Sequence, residues 1–124
     1  MSGRRLRLGD AGERYAERKL VASGWRIIDR KWRGESGEID LVAEDADFIV
    51  FVEVKTRRGI SHGAAEEAVD ELKCQRLIRL GLEYIDQHSE LGDRYWRVDL
   101  VAITLDRAGR IARYNHLENA CLDE

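Results

Sequence analysis

Three charged residues interrupt two strongly apolar segments near the middle of the chain. Asp40 lies within the segment 37–42, and Glu53 and Lys55 follow the apolar run 48–52. Both segments are rich in β-branched and aromatic side chains, which predicts strands. A strand that is covered on both faces normally excludes charge. The three groups must therefore be paired, bind a metal or serve a function, because an isolated buried charge is too costly.

The two segments are separated by a short acidic turn, which predicts a β-hairpin. Glu53 and Lys55 are two residues apart, so a strand directs both side chains to the same face. We expect a register in which Ala43 pairs with Phe48. That register places Asp40 diagonal to Glu53, close enough for the two carboxylates to share a cation. A slip of one residue would move them to opposite faces.

The chain has 124 residues, enough to bury one sizeable core, and we predict a single domain over 1–124. No apolar run approaches the length that spans a bilayer, and the first residues lack the apolar core of a signal peptide. We therefore expect a cytoplasmic protein with no membrane partner. Cys74 and Cys121 are far apart in sequence and lack the spacing of metal ligands, which predicts two free thiols.

The net charge of −3 argues against a nucleic-acid partner, but its distribution does not. Residues 1–33 carry ten basic and four acidic side chains, a local net charge of +6. A basic region on an acidic protein can bind phosphates, because binding responds to the local potential. A solvated charged surface is the simpler interpretation, so this pattern gives only mild support to nucleic-acid binding.

A first helix is predicted over residues 10–23, with Asp10 as its N-cap and Gly24 as its C-terminal stop. Glu13 stands three residues after Asp10, where it fits the acid of a capping box. It also flanks the inward face of the helix. A capping role and a functional role for Glu13 therefore both remain open.

Apolar periodicity and turn residues predict the remaining elements. Strands are expected at 25–30, 96–105 and 111–116 besides the hairpin, and a long helix at 64–87. The predicted buried face of that helix, with Lys73 at its edge, consists of Val69, Leu72, Leu77, Leu80 and Tyr84. The order is αβββαβ with one further strand, an α/β class with a mixed sheet flanked by helices.

Residues 9–13, 37–41 and 51–57 together resemble the motifs of the YraN-like family, a group of small bacterial proteins within the PD-(D/E)XK nuclease superfamily. The resemblance covers nearly the whole chain, and the segment 37–57 carries most of its specificity. Ile39 replaces the proline for which the superfamily is named. The resemblance implies a restriction-endonuclease-like αβββαβ core.

The resemblance also implies a role for each residue of the hairpin. Asp40, Glu53 and the backbone carbonyl of Val54 would bind Mg²⁺ or Mn²⁺, ions that take hard oxygen ligands. Lys55 would orient the attacking water and stabilise phosphate charge, and Glu13 would bind a metal-bound water or a second ion. The candidate phosphate contacts are Arg30, Lys31, Arg33, Arg57, Arg58 and Lys73.

The resulting hypothesis is a metal-dependent phosphodiesterase, endonuclease-like, that acts on nucleic acid, with branched or damaged DNA as the expected partner. A symmetric junction as substrate would call for a homodimer. One alternative is a nucleic-acid-binding module that retains the nuclease fold without catalysis, and another is an assembly factor. Trp32, in the predicted loop 31–37, either stacks on a base or packs against the protein.

Overall fold

The computed structural model describes residues 8–59 and 70–121, which form two α-helices, five strands and a short 3₁₀ turn. The elements are α1 (Leu8–Ala22), β1 (Arg26–Gly34), β2 (Gly37–Glu44), β3 (Phe48–Arg58), α2 (Glu71–Gln87), β4 (Tyr95–Leu105) and β5 (Ile111–Leu117). This order confirms the α/β class and the restriction-endonuclease-like αβββαβ core, with β5 as the additional strand. Neither α1 nor α2 is long and apolar enough to cross a membrane.

The five strands form one mixed sheet in the order β1-β2-β3-β4-β5. β3 and β4 are parallel, and every other neighbouring pair is antiparallel. A parallel pair needs a crossover connection, which here includes α2. Ala16 and Leu20 of α1 pack on one face of the sheet, whereas Leu77 and Leu80 of α2 pack on the other. The sheet is thus covered by a helix on each side.

The register of the β2–β3 hairpin differs by two residues from the prediction. Ala43 pairs with Val50 and not with Phe48. The turn is moved by one residue along the chain, and there the Asp45 carboxylate accepts the backbone N–H groups of Asp47 and Phe48 at 2.8 and 2.7 Å. The Asp45 N–H also donates to the Phe48 carbonyl at 3.1 Å. A shift of two residues preserves the face to which each side chain points.

The start of α1 also differs from the prediction. Asp10 lies inside the helix, so it cannot be its N-cap, which must have a non-helical backbone. Its carboxylate instead pairs with the Lys31 ammonium at 2.8 Å. The predicted stop is confirmed: Gly24 has a φ of +94°, and its N–H donates to the Val21 carbonyl at 2.9 Å.

The long helix predicted from residue 64 begins later. Asp70 has an extended backbone and its carboxylate accepts the Lys73 N–H at 2.9 Å, so it is the N-cap of α2. Val69, predicted on the buried face, lies outside the described residues. Leu72 was predicted on that face too, but 75% of it is exposed. The other three members of the predicted face are buried, namely Leu77, Leu80 and Tyr84.

β1 continues through residues that were predicted to form a loop. Lys31 has a φ of +48°, which marks a local irregularity within the strand. The next residue, Trp32, packs edge-to-face on Tyr84 of α2 with ring centroids 5.2 Å apart. Trp32 therefore packs against the protein, which was one of the two alternatives, and it does so from a strand and not from a loop.

The prediction of two free thiols is wrong. Cys74 in α2 and Cys121 near the C-terminus form a disulfide, with Cα atoms 5.3 Å apart. Their separation of 47 residues concealed this proximity, because the chain after β5 returns to β4 beside α2. There the Ala120 N–H donates to the Val98 carbonyl at 2.8 Å.

We expect Gly12→Ala to destabilise the fold by about 2 kcal/mol or more. Gly12 is buried where α1 crosses β3, and a Cβ there would lie 1.8 Å from the Thr56 hydroxyl oxygen. The matched control is Gly9→Ala in the same helix, where a Cβ meets nothing within 4 Å. Urea denaturation of both variants is the measurement. Equal stability of the two would contradict the close packing of α1 on β3.

Candidate metal and active site

The candidate site lies where the backbone pairing between β2 and β3 stops. The last paired residues are Leu41 and Val52. One residue further, the Asp40 side chain bridges the strands, because the Val54 backbone N–H donates to its Oδ2 atom at 2.8 Å. Extending the register by one residue places Asp40 beside Glu53, which is itself only 8% exposed. Two carboxylates therefore lie together in a gap of the sheet.

The environment of Asp40 disfavours its negative charge. Burial, followed by the neighbouring charge of Glu53, raises the pKa of Asp40 to about 8. The Val54 N–H opposes this shift, and the charge of Glu13 adds to it. Two close carboxylates cannot both ionise cheaply, so this environment favours a proton on the pair at neutral pH. A divalent cation would remove the same repulsion by replacing that proton.

Lys73 contacts this carboxylate pair from α2. Its Nζ atom lies 2.7 Å from Glu53 Oε2, in a partly buried position. The family resemblance implied that Lys73 contacts phosphate. No local pattern indicates that Lys73 pairs with Glu53, because the two residues are 20 positions apart on different elements.

Lys55 lies on β3 two residues after Glu53 and is half-buried. Strand alternation directs both side chains to the same side of β3. The Lys55 ammonium forms no hydrogen bond or ion pair with residues 8–59 or 70–121, so its charge is not balanced by a partner within this part of the chain. An ammonium in this position can act on a phosphate or a water near the two carboxylates.

Glu13 reaches the edge of the site from α1. Its Oε1 atom accepts the Lys31 ammonium at 2.9 Å. Burial raises the pKa of Glu13, although Lys31 opposes the shift. Because Asp10 lies inside α1 and is not its N-cap, the capping-box interpretation of Glu13 is wrong. Glu13 instead contributes negative charge to the surroundings of Asp40.

The donor set fits a hard divalent cation. Among the described residues, no group of three or more His, Cys, Asp or Glu side chains is arranged to hold a metal. Asp40 and Glu53 would therefore be the side-chain ligands, with the Val54 carbonyl as the predicted third ligand. Mg²⁺ commonly uses only one or two carboxylates and keeps several waters, whereas a structural zinc site needs four protein ligands.

Three of the predicted phosphate contacts are engaged with carboxylates. Arg30 binds Glu17 of α1 at 2.8 Å, and Lys31 binds Asp10 and Glu13 as described above. Arg33 pairs more loosely with Glu38 at 3.5 Å. A cavity of about 340 Å³ lies among these groups between α1 and β1. Their positive charge is thus locally balanced.

The last two predicted phosphate contacts, Arg57 and Arg58, lie at the end of β3, just beyond Lys55. Arg58 is exposed. Since β3 also carries Glu53 and Lys55, one strand runs from the carboxylates to these arginines. Arg30 and Lys31 of β1 instead pair with carboxylates of α1.

A second buried acid, Asp99 on β4, differs from Asp40 because its charge is fully compensated. Its carboxylate accepts the Arg97 Nε–H at 2.9 Å and lies 2.8 Å from the His116 ring nitrogen. The Asn119 backbone N–H adds a bond of 2.9 Å. Despite burial, these donors lower the pKa of Asp99. Asp99 therefore joins β4, β5 and the C-terminal segment as a structural anion.

We expect Asp40→Asn to stabilise the metal-free protein, because an amide can accept the Val54 N–H without a buried charge. The ordinary pKa of 3.8 is below the folded value of about 8, so the native state binds the proton across this range. Wild-type stability should therefore fall as the pH rises through that window. Near the upper end of this pH window, the free energy of unfolding of Asp40→Asn should exceed that of wild type by about 1–3 kcal/mol. Near the lower end, the two free energies should be nearly equal.

Urea denaturation in EDTA at several pH values is the measurement, and Asp45→Asn is the control. Despite burial, the N–H groups of Phe48 and Asp47 lower the pKa of Asp45. Its contribution is present at neutral pH and is lost as the pH falls, so this variant should be less stable than wild type. If Asp40→Asn is also less stable than wild type at neutral pH, the result would contradict the claim that repulsion between Asp40 and Glu53 destabilises the metal-free protein.

Comparison with known proteins gives one consistent family. Residues 12–103 match the profile of the uncharacterised protein family UPF0102. A UPF0102 protein of Roseiflexus castenholzii is 41% identical over 120 residues, which cover 97% of each chain. One of Beutenbergia cavernae is 46% identical over 110 residues, covering 89% of this chain and 92% of the relative. The chain belongs to family UPF0102, the YraN-like family that its motifs indicated.

Proposed function

We propose that this protein is a metal-dependent nucleic-acid phosphodiesterase, an endonuclease-like single domain over residues 1–124. The observation that carries the proposal is the pair of buried carboxylates, Asp40 and Glu53, at the gap between β2 and β3. A buried carboxyl with a strongly raised pKa, as Asp40 has, is costly to the fold, and such groups cluster at functional sites. Lys55, two residues after Glu53 on the same side of β3, would supply the positive charge that phosphate chemistry needs.

The proposed cofactor is Mg²⁺, or Mn²⁺ in its place, held by Asp40, Glu53 and the Val54 carbonyl. Such an ion, when bound, neutralises charge on the phosphate and lowers the pKa of a coordinated water. The chain itself orients the ligands. The Val54 N–H fixes one oxygen of Asp40 at 2.8 Å, which leaves the other oxygen for the cation.

The remaining groups would act on the substrate and the water. The Lys55 ammonium would hold the attacking water or a phosphate oxygen on the carboxylate side of β3. Glu13 could accept a hydrogen bond from a water at the edge of the site, since its carboxylate lies near Asp40. These roles require no movement of the sheet.

Nucleic acid would lie along the end of β3. Arg58, which is exposed, is the primary phosphate contact in this proposal, and Arg57 precedes it on the strand that carries Lys55. Arg30, Lys31, Arg33 and Lys73 would contribute less to the net affinity, since each already has a carboxylate partner. Affinity for phosphates depends on the charge that is locally unbalanced.

Branched or damaged DNA is the proposed substrate, met in the cytoplasm. Endonuclease action on a symmetric junction would require two active sites related by a two-fold axis, so a homodimer is part of that version of the proposal. Cleavage of single flaps or lesions would need one protomer only.

A second candidate function is DNA binding without cleavage. It is supported by Lys73, whose ammonium lies 2.7 Å from Glu53 and competes with a divalent cation for that carboxylate. If Lys73 permanently neutralises Glu53, the fold could bind DNA through its arginines alone. Binding that weakens with salt, with no cleavage in Mg²⁺ or Mn²⁺, would indicate this function.

Cleavage assays with Mg²⁺ and Mn²⁺ on branched, flapped and single-stranded DNA test the first proposal. We expect Glu53→Gln and Lys55→Met each to lower the rate by about 100-fold or more, because both remove charge at the reacting phosphate. The matched control is Glu90→Gln on the exposed 3₁₀ turn, which should cleave like wild type. Undiminished cleavage by both site variants would exclude this site assignment.

Salt-dependent DNA binding tests the proposed contact surface. Arg58→Ala should lower the slope of log affinity against log salt by about 1, the effect of losing one phosphate contact. Arg30→Ala should leave the slope nearly unchanged, because Arg30 is paired with Glu17. Fluorescence anisotropy with a labelled duplex is the measurement. A larger effect of the Arg30 variant would place the DNA on the β1 side of the sheet.

A further inference from the structure

The first turn of α2 is weakly attached to the sheet. Glu71 is exposed and Leu72 is 75% exposed, and the first fully buried side chain of the helix is Leu77. The N-cap bond of Asp70 is local and does not join the turn to the sheet. Among the described residues, the contacts that do so come from Lys73 and Cys74.

The two contacts are adjacent in sequence and reach different parts of the domain. Lys73 Nζ lies 2.7 Å from Glu53 on β3. Cys74 is bonded to Cys121, which lies directly after a segment held on β4. That segment is fixed by the Asn119 N–H on Asp99 at 2.9 Å, besides the Ala120 contact described above. The disulfide therefore joins a loosely held turn to a firmly held strand.

We infer that the Cys74–Cys121 disulfide is a redox-sensitive tether that holds the first turn of α2, and with it Lys73, against Glu53. Within residues 8–59 and 70–121, reduction would leave the ion pair of Lys73 with Glu53 to hold the turn. Since Lys73 and a divalent cation compete for the Glu53 carboxylate, the tether would weaken cation binding in the oxidised protein. The tether itself is independent of the proposed nuclease function; only its effect on the cation rests on that proposal.

Reduction proceeds by exchange with a low-molecular-weight thiol such as glutathione. Cys74 is the more exposed of the two residues, so its sulfur is the site of attack. The glutathione thiolate bonds to Cys74 Sγ, and Cys121 leaves as a thiolate that takes up a proton. A second glutathione thiolate then attacks the mixed disulfide and releases Cys74. Two electrons pass to the protein, and one glutathione disulfide forms.

Hydrogen exchange without metal tests the tether directly. We expect the amides of residues 71–76 to exchange about tenfold faster or more in the reduced protein, because local opening is no longer restrained. Amides of β3 and β4 should be unchanged and serve as an internal control. Cys121→Ser, which cannot form the bond, should behave like reduced wild type under oxidising conditions. Glutathione titration with thiol trapping should show one two-electron transition.

Three results of these measurements would overturn the inference. Equal exchange of residues 71–76 in both redox states would show that the bond does not restrain the turn. A uniform increase across β3 and β4 would show that it stabilises the whole domain and does not position Lys73. A disulfide that stays intact at every glutathione ratio would show that it is not redox-sensitive.

Mn²⁺ binding, followed by electron paramagnetic resonance, tests the consequence for the site. Oxidised wild type should bind Mn²⁺ about tenfold more weakly than reduced wild type, and Lys73→Met should bind equally in both states. Equal affinity of the two wild-type states would exclude competition by Lys73. If neither state binds Mn²⁺, the proposed metal site fails, while the exchange experiment still decides whether the tether exists.

Discussion

The hydrogen bond from the Val54 backbone to the Asp40 carboxylate is the interaction on which the candidate site depends. It takes the place of a backbone pair at the point where β2 and β3 stop pairing, at a distance of 2.8 Å. Because it holds Asp40 beside Glu53, two negative charges share a largely buried gap. The fold tolerates this repulsion by keeping a proton there, and a bound divalent cation would remove the need for that proton.

The helices supply the charges that surround this pair, one from each face of the sheet. α1 can approach β3 closely because Gly12 has no side chain, which places Glu13 near Asp40. α2 brings Lys73 to Glu53. Both helices therefore affect the charge state of the same two carboxylates, although their apolar faces pack on opposite sides of the sheet. Packing and site chemistry are coupled through these two contacts.

The β2–β3 hairpin shows which features of the site could be predicted from the sequence alone. Alternation along a strand has a period of two, so any register with the right parity brings Asp40 toward the side of Glu53. The register itself was missed by two residues, because it depends on the Asp45 carboxylate binding the turn. Arg94 also binds Glu44 and the Asp45 carbonyl from a distant part of the chain. No local pattern shows that contact.

Other misses have the same cause, which is contact between residues far apart in sequence. The element order followed from local periodicity and turn residues, and it was confirmed. The packing of the helices on the sheet determines the contacts that were missed. These are the disulfide, the ion pair of Lys73, and the ion pairs of Arg30 and Lys31. A charge run such as 1–33 cannot by itself show which cations are paired.

Crystallography with Mn²⁺ and its anomalous signal tests the central claim most directly. The account predicts an anomalous peak between Asp40 and Glu53, at about 2.2 Å from a carboxylate oxygen of each residue, a distance typical of a small hard cation. Ordered carboxylates with no peak between them at saturating Mn²⁺ would contradict the account. So would an ion found only at another place in the structure.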